Sequence, residues 1–215
     1  MRLRIVTLNV WNEEGHPQRQ DLINRELRRL DPDLVALQEV VHAPGRNQLE
    51  KLLNDSKLYR IHQADAKAVQ PAGADRYGGS AVATRWPHHV VEVLDLRMSD
   101  VKDVPWRTLA VVVPLPGEGD LLFVGTTLSW RLSAEAARER QVAALTTESS
   151  VSPITAEGSI MCSSDPGTLI LIRVAEFLAP LLRLTSRRRK SGLAIISVSW
   201  SISKFERMRR DAVNE

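Results

Sequence analysis

Asp33-Leu34-Val35-Ala36-Leu37-Gln38-Glu39-Val40 is the stretch whose reading decides the fold. It leaves the Asp31-Pro32-Asp33 turn as a short apolar run, the pattern of a buried strand. Glu39 stands near its end among Leu37, Gln38, Val40 and Val41, and period-two alternation puts it on the face of Val35 and Leu37. Burying a carboxylate unpaired at the mouth of an apolar strand is costly, so Glu39 requires a cation, either an arginine or a metal ion. The competing reading is an edge residue that faces water.

Working outward, Leu3 to Val10 alternates as a second strand, with Leu3, Ile5, Thr7 and Asn9 on one face and Arg4, Val6, Leu8 and Val10 on the other. Asn9 falls at its end, where an asparagine closes a turn or points an amide into a cleft. Between the strands, Pro17 suits a first helical turn. Leu22, Ile23, Leu27 and Leu30 then form one apolar stripe, with Arg19, Arg25, Arg28 and Arg29 on a solvated face. This strand–helix–strand order predicts an α/β layer arrangement.

Downstream, residues 48–54 read as a short helix and 58–62 as a strand, and residues 70–79 as a polar loop holding Asp75, Arg76 and Tyr77. Strands are expected at 80–85, 90–96, 106–113 and 121–128, the last two joined by a Pro- and Gly-containing hairpin loop. Successive β segments of this kind imply mixed sheets rather than a purely parallel one. His88 and His89 are adjacent, so on a strand they point to opposite faces and read as a turn decoration rather than a metal pair. Ser133 is an N-cap for a helix running to about Thr147.

The chain has 215 residues, with ordinary hydrophobic (43%) and charged (26%) content for a globular protein. Cys162 is its one cysteine, which excludes an internal disulfide framework. No signal-peptide core follows Met1 and no apolar span is long enough to cross a bilayer, so a cytoplasmic protein is the expectation. The net charge of +3 is uneven: residues 149–215 carry 10 Lys and Arg against 6 Asp and Glu, and residues 1–148 carry 19 against 20. The excess basicity therefore says nothing about a nucleic-acid groove in the first two thirds.

Thr7-Leu8-Asn9-Val10-Trp11, Leu37-Gln38-Glu39-Val40, the run from Gly78 to Pro87, Trp106-Arg107, and the run from Phe123 to Trp130 occur in an order that resembles the endonuclease/exonuclease/phosphatase superfamily, the fold of deoxyribonuclease I. Residues 138–142 (Arg-Glu-Arg-Gln-Val) are also similar to members of that family. The resemblance covers roughly residues 3–146 and divides the chain into a family-like domain (1–148) and a non-matching basic tail (149–215). It implies a four-layer α/β-β/α sandwich of two mixed sheets flanked by helices, incomplete at the C-terminus. It also implies a hydrolase that cleaves phosphate esters with Mg²⁺ or Mn²⁺, with nucleic acid among the candidate substrates; a monomer is the expectation for the chain. By the resemblance, Glu39 is the principal metal ligand, Asn9 sits beside it against metal or phosphate, and Arg107 lies near the scissile phosphate. The alternative for Arg107 is a partner for a sheet carboxylate. Tyr77 stands where some members place a phosphate-binding tyrosine.

Two departures qualify that expectation. Thr127 takes the place of the family's Thr-His-Leu histidine, and a hydroxyl donates a hydrogen bond but cannot serve as an imidazolium acid. The family's later Gly-Asp-Phe-Asn and Ser-Asp-His motifs, which orient the attacking water and supply the general base, are absent after residue 148. We read the tail as translated in a wrong frame. Reading each codon of residues 166–172 from the third base of its predecessor permits Gly-Asp-Phe-Asn. A chain without those motifs is expected to be weak or inactive as a catalyst, with sheet edges left uncovered. Rival readings are an active phosphoesterase whose tail supplies Asp165 or Glu176 as ligands, and a non-catalytic protein that binds nucleic acid or anionic lipid through Arg187, Arg188, Arg189, Lys190, Arg207, Arg209 and Arg210.

Overall fold

The computed structural model describes residues 1–66, 78–97, 107–129, 131 and 133–147, together with the backbone of four later strands. In chain order the strands are β1 (Arg2–Asn9), β2 (Leu34–Val40), β3 (His42–Ala43), β4 (Arg46–Asn47), β5 (Tyr59–His62), β6 (Gly79–Thr84), β7 (His89–Leu94), β8 (Thr108–Leu115) and β9 (Gly119–Thr127). The four later strands are β10 (Ser159–Asp165), β11 (Thr168–Val174), β12 (Arg183–Arg188) and β13 (Ala194–Ser199). The described helices are α1 (Arg19–Leu30), α2 (Gln48–Leu52), α3 (Gln63–Ala66) and α4 (Glu135–Thr147).

Two sheets form the centre, the first mixed and the second antiparallel throughout. The first has the order β12-β13-β1-β2-β6-β5, the second β10-β11-β9-β8-β7. β1 and β2 pair in parallel across the α1 crossover, and β2 pairs antiparallel with β6. Alternation along the strands explains the layers. Leu3 and Ile5 of β1, Leu34 and Ala36 of β2, and Val82 of β6 face Val111 and Phe123 of the second sheet in one buried cluster. The intervening residues, Val6, Leu8, Val35 and Leu37, pack against Leu27 and Leu30 of α1 and Leu49 and Leu52 of α2. On the far side, Leu145 of α4 packs with Leu96 and Leu128. Helices thus flank the paired sheets, as the α/β sandwich reading requires.

The Asp31-Pro32-Asp33 turn is fastened at the end of β2 away from Glu39. Asp33 accepts from the Arg4 backbone N–H at 2.7 Å and from the Arg85 guanidinium. Pro114 lies in β8 opposite Asp120 of β9 and beyond the last β7 pair, His89 with Val112, where one side of the strand has no neighbour and a missing N–H is tolerated.

Three expectations need correction. Leu22 is 47% exposed and not part of the buried stripe. Asn24 takes the inward place, donating to the Leu52 and Asn54 carbonyls at 3.0 and 2.9 Å and so capping the end of α2. Arg19 is not on the solvated face but turns back onto the loop after β1. The edges of β1 and β9 carry partners, since β13 pairs with β1 and β11 with β9. The tail, whatever its frame, contains apolar β-branched runs at residues 169–172 and 194–196 that suit strands.

Candidate active site

Glu39 and Asn9 meet. The Asn9 amide nitrogen donates to Glu39 Oε1 at 2.8 Å, and Asn9 Oδ1 accepts the Trp11 backbone N–H at 2.8 Å. Alternation alone puts the two side chains on opposite faces of the first sheet. Asn9 follows Leu3 and Ile5 toward the second sheet, whereas Glu39 follows Val35 and Leu37 toward the helices. A bulge resolves the conflict. The β2–β6 register shifts between Leu37 and Val40, and Glu39 adopts φ 59°, the left-handed region that non-glycine residues seldom occupy. The residue after it, Val40, returns to the helix-packed cluster. The period-two placement of Glu39 is therefore corrected: the strand pattern holds through Gln38 and breaks at the carboxylate.

Gly78 makes the bulge possible. It has φ +74°, and a Cβ there would lie 2.6 Å from the Glu39 carbonyl carbon. Only glycine accommodates both the backbone conformation and that approach.

The site also contains residues that the sequence did not single out. Asn12 lies in the loop after β1, where its N–H donates to the Glu39 carbonyl at 3.1 Å and its Nδ2 to Glu39 Oε2 at 3.3 Å. Gln48, 1% exposed, clamps that loop by accepting from Val41 N–H at 2.8 Å and donating to the Asn12 carbonyl. The Arg19 guanidinium donates to the Val10 and Glu14 carbonyls and sits over the Trp11 ring, 5.5 Å from its centroid. Burial pulls the Arg19 pKa down, and the negative charge of Glu39 works against that shift. These contacts join residues distant in sequence and leave no local pattern. The signals that were available are the polar density of residues 9–14 and the Gly78-Gly79 pair.

Arg107 stands just before β8 in the second sheet. Its guanidinium pairs with Asp95, the residue that follows β7. Arg97, and with it Arg107, holds the Asp95 carboxyl below the usual carboxylate range against the opposing effect of burial. The Arg107 N–H donates to Gln63 Oε1 at 2.8 Å, and the same oxygen accepts the Ser80 N–H at 2.8 Å, which ties Arg107 to the strand beside Glu39. Thr127 ends β9 with its hydroxyl buried and without a partner among the described residues. Tyr77 lies outside the described residues, as do the side chains of Asp165, Glu176 and the basic tail. His88 contacts Thr84 Oγ1 in the turn before β7, and His89 is exposed and opens β7.

The donor set suits a hard divalent ion. Glu39 offers carboxylate oxygens, and Asn12 Oδ1 beside it is a buried amide oxygen without a partner among the described residues. No group of three or more His, Cys, Asp and Glu gathers among the described residues. One carboxylate is a sparse donor set for Mg²⁺, which leans on further anionic partners, water and substrate phosphate to complete its shell. Of the roles expected for Asn9, the geometry carries the orientation of Glu39, because its amide nitrogen faces the carboxylate. A separate cavity of about 460 Å³ beside α1 is lined by Asn9, Trp11, Arg19 and Glu26 together with four leucines and Ile23, and Glu39 is not among its walls. Its apolar lining does not suit a phosphate. No described helix is long and apolar enough to cross a membrane.

Among known proteins, the model of the Endonuclease/Exonuclease/phosphatase family matches residues 6–162. No curated protein sequence matches the chain. Among solved structures, D. rerio TDP2 complexed with single strand DNA product is similar at 14% identity and TM-score 0.61, over 92% of this chain and 99% of that one. The human Nocturnin catalytic domain with bound sulfate anion is similar at 14% identity and TM-score 0.58, over 93% and 95%. Truncated Caenorhabditis elegans TDP2 is similar at 13% identity and TM-score 0.58, over 93% and 98%. At such identities these likenesses speak for the fold, and the match over residues 6–162 places the chain in the endonuclease/exonuclease/phosphatase family.

Proposed function

We propose that this chain carries the binding half of a divalent-metal-dependent phosphoesterase site and is weak or inactive in the chemical step. The observation that carries this reading is the Asn9–Glu39 hydrogen bond formed at a strained bulge. Backbone strain of this kind costs on the order of 1–3 kcal/mol and persists where the surroundings enforce it, commonly at functional sites.

Glu39, with Asn12 Oδ1 beside it, would hold Mg²⁺ or Mn²⁺. Asn9 fixes the carboxylate rotamer by donating to Oε1. Arg107, placed by Asp95 and Gln63, is offered to a phosphate oxygen, and the Thr127 hydroxyl supplies a neutral hydrogen bond where the family has a histidine. A bound divalent ion supplies neutralisation of phosphate charge and stabilisation of the leaving oxygen. The missing Gly-Asp-Phe-Asn and Ser-Asp-His motifs would have positioned the water and taken its proton, a contribution of about 10²–10⁴-fold for general base catalysis alone. We assign the substrate to phosphate esters, with a nucleic-acid phosphodiester first among them because the similar TDP2 structure holds a single-strand DNA product.

The test is hydrolysis of bis(p-nitrophenyl) phosphate with Mg²⁺, beside Mn²⁺ binding. Glu39-dependent Mn²⁺ binding with slow or absent hydrolysis is expected. Brisk hydrolysis abolished by Glu39→Gln would instead favour an active enzyme whose tail completes the site.

A further inference from the structure

His62 and Gln63 are adjacent, nearly inaccessible at 1% and 2% exposure, and they turn to opposite duties. The Ala64 N–H donates to His62 Nδ1 at 3.1 Å, so the ring proton sits on Nε2 and donates to the Val40 carbonyl at 2.9 Å, one residue past the Glu39 bulge. His42 stacks on the ring at 4.9 Å between centroids and bonds Asp65, which walls His62 into one orientation. Gln63 Oε1 accepts two backbone N–H groups, Ser80 in the first sheet and Arg107 at the start of β8 in the second. The crossing is open only because position 79 is glycine, since a Cβ there would lie 2.5 Å from Gln63 Cδ.

We propose that His62 and Gln63 are positioning residues, His62 holding the Glu39 bulge in register and Gln63 setting the place of Arg107 relative to it. The inference rests on the reading of Glu39 as the metal carboxylate and Arg107 as the phosphate cation. Two backbone segments from different sheets share one buried acceptor atom, so a shift of Gln63 moves both. A clamp on the Val40 carbonyl opposes the relaxation of the left-handed Glu39 backbone toward ordinary strand geometry.

The test uses the full chain and two probes, Mn²⁺ alone followed by paramagnetic resonance and inorganic phosphate added at saturating Mn²⁺. H62F removes the donor to Val40 and is expected to weaken Mn²⁺ binding about tenfold, in the range found for groups that orient metal ligands. H62Q, whose amide still reaches Val40 as a donor, is expected to recover most of that loss. Q63M fills the space beside Gly79 without an acceptor. It is expected to leave Mn²⁺ binding within about twofold and to weaken phosphate binding about tenfold. Wild-type affinities in both H62F and Q63M, while E39Q loses Mn²⁺, overturn the inference and leave the functional reading standing. Failure of the wild type to bind Mn²⁺ through Glu39 overturns both. Should a variant not fold, amide exchange in the wild type decides the bridge. Slow exchange at Ser80 and Arg107 supports it, and fast exchange at both overturns it.

Discussion

The Asn9 amide and the Glu39 carboxylate are joined at 2.8 Å although their strand patterns assign them to opposite faces of one sheet. The left-handed backbone at Glu39 performs that reversal, with Gly78 packed against it. The site therefore depends on a local break in the same hydrophobic alternation that builds the core.

Gly78→Ala places a Cβ against the Glu39 backbone at a φ that alanine disfavours. A loss of roughly 3 kcal/mol or more is expected in urea denaturation, because backbone is met and cannot swing aside as a side chain could. A loss under about 0.5 kcal/mol, the scale of an ordinary surface change, would show that the bulge is not held in this way.

His62 gives the fold an acid-sensitive element. Burial, with a smaller contribution from His42, depresses its pKa to about 4, against the raising effects of the Val40 hydrogen bond and Asp65. The native state thus binds fewer protons than the unfolded chain between the ordinary value of 6.5 and about 4. Stability is full above that window and falls as pH drops through it, by on the order of 3 kcal/mol in total. Chemical denaturation at several pH values is expected to show this slope in the wild type and a flatter one in His62→Gln. Equal slopes would place the acid sensitivity elsewhere.

The reading-frame account of residues 149–215 is checked by the coding DNA across codons 148–215. Third bases that spell Gly-Asp-Phe-Asn when read one frame earlier are expected, and the chain translated in that frame is expected to hydrolyse bis(p-nitrophenyl) phosphate at least about 10²-fold faster than this one. Third bases that forbid the motif would remove this explanation of the tail.

Much of the fold was legible because its strands and α1 obey simple periods. Leu3 to Asn9 and Leu34 to Gln38 alternate cleanly, and Leu27 and Leu30 face inward as the helical period requires. The bulge was not legible, since Glu39 has no side-chain preference for a left-handed backbone. The cue lay about forty residues away, in Gly78-Gly79. Gln48, Gln63 and Asn24 were missed for a related reason: a buried amide is defined by backbone groups that only the tertiary fold brings to it. Arg107 was anticipated, whereas its pairing with Asp95 was not, because the two residues meet only through the tertiary fold.

The most direct measurement is a Mn²⁺ titration of the wild type and Glu39→Gln in the presence of inorganic phosphate, followed by paramagnetic resonance. The wild type is expected to take up the ion and to bind it more tightly with phosphate present, and Glu39→Gln is expected to lose at least about tenfold in affinity while keeping its unfolding midpoint. Equal Mn²⁺ binding by the two proteins, or none by either, would contradict a cation site centred on Glu39.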